Sequence, residues 1–402
     1  MGKRQRQRLK QKRPGERRKE DKKVKIYRRR AVAVVFAGVM GVLSLVDLIP
    51  GEKAFSQRED RELTLRPEIS FNGILDGSVM RQYDVYRIDQ FTGRSLLRLV
   101  KTGADLLAGK RKEGGVYKGK DDYLLEEIAA PDEEQLNQSI ERIGEFSGRY
   151  EKIPVYLMLV PGAANVLDAK LPDFAVTEDQ RQIFESIRQS LADSVRWVDV
   201  SSVLEKHMKE EIYYRTDRHW TSLGAYYAYQ NLAEVMELDM EKAPELEPCA
   251  VTNSFNGMLS SASGYNTGYA EPIFIYTPKG KDAETKLVAE YVEEGEKTAT
   301  LYDRSELIGK DEYKVFLGGD HGMVDIRTTA DTTDRLLLVK DSYANCLIPF
   351  LTPFYREIIV VDPGYYEGDL DTIMEENKIS SVLFLYGGNT FVQDSGLTRC
   401  LD

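Results

Sequence analysis

The stretch RLLLVKDS (335–342) is the part of the sequence that points most directly to a fold. Its apolar residues are consecutive rather than alternating, which is typical of a strand buried on both faces. EIIVVDP (357–363) and SVLFLYGGN (381–389) repeat the pattern, and a helix is predicted between them at 369–377. Apolar strands that alternate with helices predict an α/β fold with a parallel sheet covered on both faces.

Two runs upstream extend the same rhythm. IPVYLMLVPG (153–162) has the composition of a buried strand, VRWVDV (195–200) is predicted to be another strand, and a helix is predicted between them at about 178–192. Residues 240–330 lack this alternation and contain turns rich in Asn, Gly and Ser. We therefore predict one large α/β domain over 76–402 with an insertion at about 240–330.

The N-terminal region differs from the rest in charge. Residues 1–30 hold sixteen Lys/Arg and three Asp/Glu, a net charge of +13, so the remainder of a chain of net charge −11 carries −24. Residues 31–49 are then almost wholly apolar, and a helix of about 17–25 residues crosses a bilayer. Basic residues that flank a transmembrane helix stay on the cytoplasmic side of the membrane. We therefore predict a cytoplasmic arm (1–30), a transmembrane helix (31–49), a linker (50–75) and an extracellular domain.

This topology makes the membrane bilayer the first expected partner and predicts a single-pass protein of the cell membrane. A cleaved signal peptide and a buried soluble helix are the alternatives for residues 31–49. Nucleic-acid binding by the basic arm is disfavoured because an apolar segment follows it directly, so the arm is expected to meet anionic lipid headgroups. The three cysteines are scattered and suggest neither a disulfide framework nor a metal site, and no cofactor is predicted.

Four residues could carry chemistry. His219 follows Asp217 by two positions, and an Asp so placed can hold the imidazole tautomer and stabilise its cation. Ser342 lies at a strand-to-helix turn, where its hydroxyl can act as a nucleophile and its backbone N–H can face a developing oxyanion. Asn389 ends a third strand and could supply a second oxyanion donor. These residues form a candidate Ser/His/Asp set with Asn support.

Each of these residues also has a structural interpretation. Ser342 and its neighbour Asp341 are good helix N-caps, and Asp217 could cap the helix that begins near Trp220. Asn389 follows two glycines and could be a turn residue. The other two histidines are predicted to lie on the surface (His207) and in a loop (His321).

The stretch YYRTDRHWTSLGAYYAY (213–229) closely resembles the signature of the DHHW family of bacterial membrane-anchored proteins. Arg218 departs from that signature, since it occupies the place where the family name has its first His. The resemblance covers roughly 60–395 and includes other segments as well: ILDGSVMRQYDVYRIDQFTGR (74–94), LGGDHGMVDI (317–326), LLVKDSYANCLIPFLTPFYREIIVVDP (337–363) and LFLYGGNTF (383–391).

The family is similar to the SGNH-hydrolase-like domains of the alginate O-acetylation proteins. That resemblance implies a three-layer α/β/α, flavodoxin-like fold, circularly permuted because Asp217 and His219 here precede Ser342 and Asn389. It implies that Asp217 orients His219, that His219 is the base, that Ser342 is the nucleophile and that Asn389 and Ser342 are oxyanion donors. Two departures are the single residue between Asp and His and the absence of a Gly before Asp341.

The function that the resemblance implies is an O-acetyltransferase acting on a cell-surface polysaccharide or exopolysaccharide, with a multi-pass membrane acyltransferase as acyl donor. A carbohydrate esterase would use the same residues with water as acceptor. The alternative from a different class is a non-catalytic carbohydrate-binding or assembly scaffold. Its sugar-stacking surface would use tyrosines, of which the chain has several clusters: Tyr213, Tyr214, Tyr226, Tyr227, Tyr229, Tyr365 and Tyr366.

Overall fold

A computed structural model describes residues 27–28, 30–36, 38, 52–56, 61–91, 93–280, 285–394 and 396–401 of the 402-residue chain. The described residues divide into two compact units. One comprises residues up to 56 together with 61–101, and the other comprises the residues from 102 onward.

The first unit is small and mainly helical. Its backbone is anchored at Asp89, a buried carboxylate that accepts a hydrogen bond of 2.9 Å from the backbone N–H of Thr64. Two short antiparallel strands pair in it, β1 (Phe55–Ser56) and β2 (Arg61–Glu62). Its described helices are residues 27–28, 30–36 and 38, Phe71–Leu75, Ser78–Gln90 and the start of Arg94–Leu107.

The predicted transmembrane anchor has to be corrected. Within the described ranges, no helix combines the length and the apolar character needed to cross a bilayer. Of the predicted span 31–49, residues 37 and 39–49 lie outside the described residues, as do almost all residues of the predicted arm, 1–30. The predicted single-pass localisation, with an extracellular C-terminal domain, is therefore contradicted, and the bilayer is not carried forward as a partner.

The second unit contains the strands that matter for the site. In chain order they are β3 (Lys112–Glu113), β4 (Val116–Lys118), β5 (Leu124–Glu126), β6 (Val155–Val160), β7 (Val195–Val198), β8 (Leu246–Phe255), β9 (Glu271–Pro278), β10 (Leu287–Tyr291), β11 (Glu296–Thr298), β12 (Met323–Thr328), β13 (Arg335–Lys340), β14 (Glu357–Val361) and β15 (Ser381–Gly387). Strands β3–β5 form a small antiparallel sheet, and β8 pairs with β9.

The central sheet is mixed rather than parallel. Its eight described strands run in the order β11-β10-β12-β14-β13-β15-β6-β7. The five from β14 to β7 are parallel, as expected, and β12, β10 and β11 are added antiparallel at one edge. The parallel expectation failed at that edge because β10, β11 and β12 all come from residues predicted to be an insertion. In β12 buried residues alternate with less buried ones, as is typical of an antiparallel strand covered on one face.

Helices cover both faces of this sheet. In β13, Leu337 and Val339 face one apolar cluster, while Leu336 and Leu338 face the other. All four side chains are fully buried, and each contributes about 1.5–3 kcal/mol by leaving water. The helices that complete the unit are Glu133–Arg149, Ala163–Val166, Gln180–Ser190, Ser201–Lys206, Ser222–Val235, Met258–Ser263, Ile348–Leu351, Leu370–Asn377, Gly388–Phe391 and Gly396–Leu401.

The parallel strands end where the sequence places its polar candidates. Ser342 lies two residues beyond β13, and Asn389 lies two residues beyond β15, the neighbouring strand. Carboxyl ends of parallel strands meet at one edge of a sheet, where functional groups of α/β proteins gather. The fold therefore places both residues at the same edge.

Candidate active site

The segment 213–220 forms a tight loop that presents two side chains to this edge. An antiparallel bridge pairs Tyr213 with Trp220, and the N–H of Tyr214 donates to the carbonyl of His219 at 3.2 Å. Both aromatic residues of the bridge are buried and hold the ends of the loop in the core. Asp217 and His219 occupy its far side, also buried.

The structure brings together three of the predicted residues. Nδ1 of His219 lies 2.6 Å from Oδ1 of Asp217, and Nε2 of His219 lies 2.8 Å from Oγ of Ser342. An ionised carboxylate only accepts hydrogen bonds, so the Asp217 contact places the imidazole proton on Nδ1. Nε2 is then the acceptor for the Ser342 hydroxyl, which is the arrangement a general base needs.

Asp217 is held in its charged form. Burial is the largest single influence and would raise the pKa of this carboxyl, but electrostatic attraction to His219 and hydrogen bonds from the His219 ring and backbone and from the N–H of Met258 together outweigh it. The pKa of Asp217 is held at about 2. The acid of the set is therefore an anion at every ordinary pH.

The loop is braced from behind by a buried carboxylate. Glu271, at the start of β9, accepts hydrogen bonds from the backbone N–H of Arg215 and from both the N–H and the hydroxyl of Thr216, each at 2.9–3.0 Å. The Thr216 hydroxyl in turn accepts from the N–H of Gly257 at 2.9 Å. Residues of the predicted insertion thus fix the position of Asp217.

The turn that carries Ser342 is fixed by its neighbours. Asp341, rather than Ser342, is the cap: its carboxylate accepts from the N–H of Tyr343 and from the N–H of Gly387, both at 3.0 Å. The indole N–H of Trp220 donates to the carbonyl of Tyr343 at 2.9 Å. The predicted capping role of Asp217 is absent, since Thr221 caps the helix Ser222–Val235.

The imidazole of His219 packs against two aromatic rings. The ring of Tyr313 stacks on His219 with 4.0 Å between ring centroids and 5° between planes. Tyr343 packs at a tilt, 4.9 Å from His219. These contacts leave the imidazole little room to rotate away from Ser342.

Arg218 supplies a contact that the sequence analysis did not foresee. Its Nη2 lies 3.3 Å from Oγ of Ser342. Burial opposes its charge, but the carboxylates of Glu126 and Asp341 more than compensate and raise the pKa of Arg218 above its ordinary value. Oγ of Ser342 therefore contacts His219 as well as the guanidinium of Arg218.

The side chain of Asn389 does not face Ser342 as an oxyanion donor, because its hydrogen bonds are made to other residues. Its amide donates one hydrogen bond to Oε2 of Glu126 at 3.0 Å and another to the carbonyl of Glu127 at 2.9 Å. Its Oδ1 accepts from the N–H of Ala129 at 3.0 Å. A side-chain amide has two N–H donors, so Asn389 has none left for an oxyanion at Ser342.

The remaining candidates lie elsewhere. His207 stacks on Tyr227 and contacts Glu210, and His321 contacts Glu294, so neither histidine is paired with Ser342. Of the tyrosines considered for sugar stacking, Tyr213, Tyr214 and Tyr229 are buried, Tyr226, Tyr227 and Tyr366 are half-buried, and Tyr365 is exposed.

A cleft of about 590 Å³ is lined by Arg218, whose guanidinium contacts Ser342, although Ser342 itself does not line it. Asn389 lines it too, as do the carboxylates of Glu126, Glu127 and Glu178. Carboxylates and amides are acceptors and donors for hydroxyl groups. The cleft can therefore hold a polar, hydroxyl-bearing molecule next to Arg218.

Two residues of the site could not be found from the sequence alone, whereas a third carried a signal. Gly257 and Glu271 are far from the motif in the chain and carry no local signal. Arg218 did carry one, because it stands between Asp217 and His219 where the resemblance leads one to expect a His.

Comparison with known proteins agrees with this architecture. The chain is similar to a DHHW family protein from Eubacterium siraeum (24% identity, 72% of this chain and 95% of that one, TM-score 0.60). It is also similar to Bacillus cereus PatB1, solved with a sulfonyl adduct (21% identity, 71% and 96%, TM-score 0.58). At these identities the likeness shows a common mixed α/β fold. A search of curated proteins found no match.

The signature around Asp217, Arg218 and His219 lies within the region that a family model matches. A family model described as "DHHW protein" matches residues 147–361, more than half of the chain, and this range contains the loop, the bracing residues and Ser342. Despite the Arg in its signature, this chain belongs to the DHHW family.

Proposed function

We propose that this protein is an SGNH-like acyltransferase that O-acetylates a polysaccharide through Ser342, His219 and Asp217. The observation that carries the proposal is the continuous chain of contacts from Asp217 through His219 to Ser342, at 2.6 and 2.8 Å. The order of these residues along the chain supports a circularly permuted, flavodoxin-like version of the fold. Ser342 is 8% exposed, so only a small part of it meets solvent.

The first half of the reaction takes an acyl group from an ester donor. His219 Nε2 accepts the Ser342 proton as Oγ forms a bond to the acyl carbon, and the carbonyl oxygen becomes an oxyanion. The backbone N–H of Ser342 is proposed as one oxyanion donor. Collapse of the intermediate breaks the bond to the donor's alcohol, which leaves with the proton from His219.

The second half repeats these steps with an acceptor hydroxyl. A sugar hydroxyl gives its proton to His219, attacks the acyl carbon and displaces Oγ of Ser342, which recovers the proton. The acceptor is proposed to bind in the cleft beside Arg218, whose carboxylate and amide groups can hydrogen-bond to sugar hydroxyls. The donor implied by the resemblance, a multi-pass membrane acyltransferase, stays a prediction.

The test is acylation of the full-length chain by 4-nitrophenyl acetate. The wild type is expected to release nitrophenol and to carry an acetyl group on Ser342, detected by mass spectrometry of peptides. Ser342→Ala should lose both signals, whereas Ser190→Ala should keep them, because the Ser190 hydroxyl is exposed and bonds only to its own helix. Equal background release from all three folded proteins would refute the enzyme and favour a carbohydrate-binding scaffold.

Transfer and hydrolysis are then separated by the acceptor. With neutral oligosaccharides present, an acetyltransferase yields acetylated sugar and releases nitrophenol faster. An esterase yields acetate at a rate that the sugar does not change. The second outcome would retain Ser342 as nucleophile and replace the acceptor by water.

A further inference from the structure

We infer that Arg218 is a catalytic residue of this site, the side-chain donor that stabilises the oxyanion formed at Ser342. The inference rests on the proposed function. It assigns to Arg218 the role predicted for Asn389, whose two amide donors are committed to Glu126 and Glu127.

The first support is that Arg218 forms no direct ion pair within the part of the chain that the structure describes. Among the described residues no carboxylate is found within ion-pair distance of its guanidinium, whose side-chain hydrogen bond is to the neutral Oγ of Ser342 at 3.3 Å. Its Nε is buried without a hydrogen-bond partner. The carboxylates of Glu126 and Asp341 stabilise its charge from farther away, so the guanidinium keeps donors for an anion that forms beside Ser342.

The second support is the direction of the hydrogen bonds at Oγ of Ser342. Oγ of Ser342 donates its proton toward Nε2 of His219, so the contact with Arg218 must use an Oγ lone pair. The oxyanion will be bonded to the same tetrahedral carbon as Oγ and will be its close neighbour. Oxyanion donors act at about 2.7–3.1 Å, so a small movement of a guanidinium already at Oγ brings it to the new charge.

The third support is rigidity. The hydroxyl of Tyr343 donates to the backbone carbonyl of Arg218 at 2.5 Å, which ties the residue after the nucleophile to the residue that carries the guanidinium. Trp220, two residues on, donates to the carbonyl of Tyr343. Arg218 and Ser342 are therefore held together by the backbone as well as by their side chains, and preorganised donors are the effective ones.

The test compares Arg218→Gln and Arg218→Lys with Arg215→Gln in the full-length chain. Arg215 belongs to the same loop, but its guanidinium packs on the rings of Tyr123 and Tyr269 and pairs with Glu211. The readouts are kcat and KM for acylation by 4-nitrophenyl acetate, and the rate at which phenylmethylsulfonyl fluoride modifies Ser342. Thermal unfolding confirms that each variant is folded.

Loss of one oxyanion donor should lower kcat and the sulfonylation rate of Arg218→Gln on the order of 10²-fold. KM should change less than about threefold, because the lost interaction is made mainly in the transition state. Arg218→Lys should recover part of the loss, and Arg215→Gln should match the wild type.

Three results would overturn the inference. If the wild type is acylated at Ser342 and folded Arg218→Gln is acylated within about threefold of its rate, Ser342 remains the nucleophile and Arg218 is not its oxyanion donor. If Arg215→Gln loses as much as Arg218→Gln, the effect belongs to the loop as a whole. A wild type that is never modified at Ser342 overturns the proposed function itself, and this inference with it.

Discussion

Gly257 and Asp217 lie so close together that a Cβ atom on Gly257 would be 2.4 Å from Oδ2 of Asp217. The next residue, Met258, donates its N–H to that same oxygen at 2.9 Å. The short helix Met258–Ser263, which comes from the stretch predicted as an insertion, thus seats the acid of the site by direct backbone contact.

Gly257→Ala is expected to disable the site by steric conflict alone. The φ angle of Gly257 is −71°, which any residue can adopt, so the damage comes only from the methyl group pressing on Asp217. We expect the rate of acylation by 4-nitrophenyl acetate to fall at least tenfold, with a loss of about 1–3 kcal/mol in unfolding free energy. Gly148→Ala is the control, because its Cβ would meet nothing and a helix prefers Ala. Full activity in Gly257→Ala would contradict the geometry.

Asp217 should make the stability of the protein depend on acid pH. Its folded-state pKa of about 2 lies below the ordinary 3.8, so the ionised form stabilises the fold above about pH 4 by about 2 kcal/mol, and this contribution is lost as pH falls from 4 to 2. The measurement is the difference in unfolding free energy between wild type and Asp217→Asn across that range. It should be constant above pH 5 and shrink in acid. A difference that does not vary with pH would show that Asp217 is not held ionised.

Glu271→Ala should damage both stability and catalysis. The substitution removes the acceptor of two backbone N–H groups and one hydroxyl in the loop behind Asp217, and each buried donor left alone costs about 1–3 kcal/mol. We expect a lower midpoint in urea and an acylation kcat reduced at least tenfold, because the loop loses its brace. Glu245→Ala, at an exposed carboxylate paired with Lys279, should change neither quantity appreciably. Equal behaviour of the two variants would remove Glu271 from this role.

Lys340→Met should be strongly destabilising. Lys340 is fully buried at the end of β13, with Nζ 2.8 Å from Asp362 and 3.3 Å from Asp320. Removing the cation leaves these carboxylates without their counter-charge, at a cost of about 3–5 kcal/mol. Equilibrium unfolding in urea measures the loss, and Lys209→Met, at an exposed lysine, is the control. A loss below about 1 kcal/mol would mean that the carboxylates find other partners or take up protons.

The sequence was sufficient to predict those strands whose conformation follows from their own residues. Apolar runs without alternation predicted β6, β13, β14 and β15 to within a few residues, because strands buried on both faces must be apolar throughout. The sequence was insufficient at one edge of the sheet, where β10 and β11 are short and pair antiparallel within residues that lacked the alternation of strands and helices. The predicted membrane anchor was wrong, since hydropathy alone counted residues 31–49 as a span.

The sequence by itself determined the motif with Asp217 and His219, the serine beyond β13 and the layered α/β fold, because these follow from residue type, spacing and burial of apolar surface. Only the tertiary structure decided which side chains meet. It brought Ser342 to His219 across 123 positions of the chain, paired the Asn389 amide with Glu126 and Glu127, and placed Arg218 beside Ser342 instead. Such contacts depend on how distant segments pack, and the sequence near each residue carries no record of its distant partners.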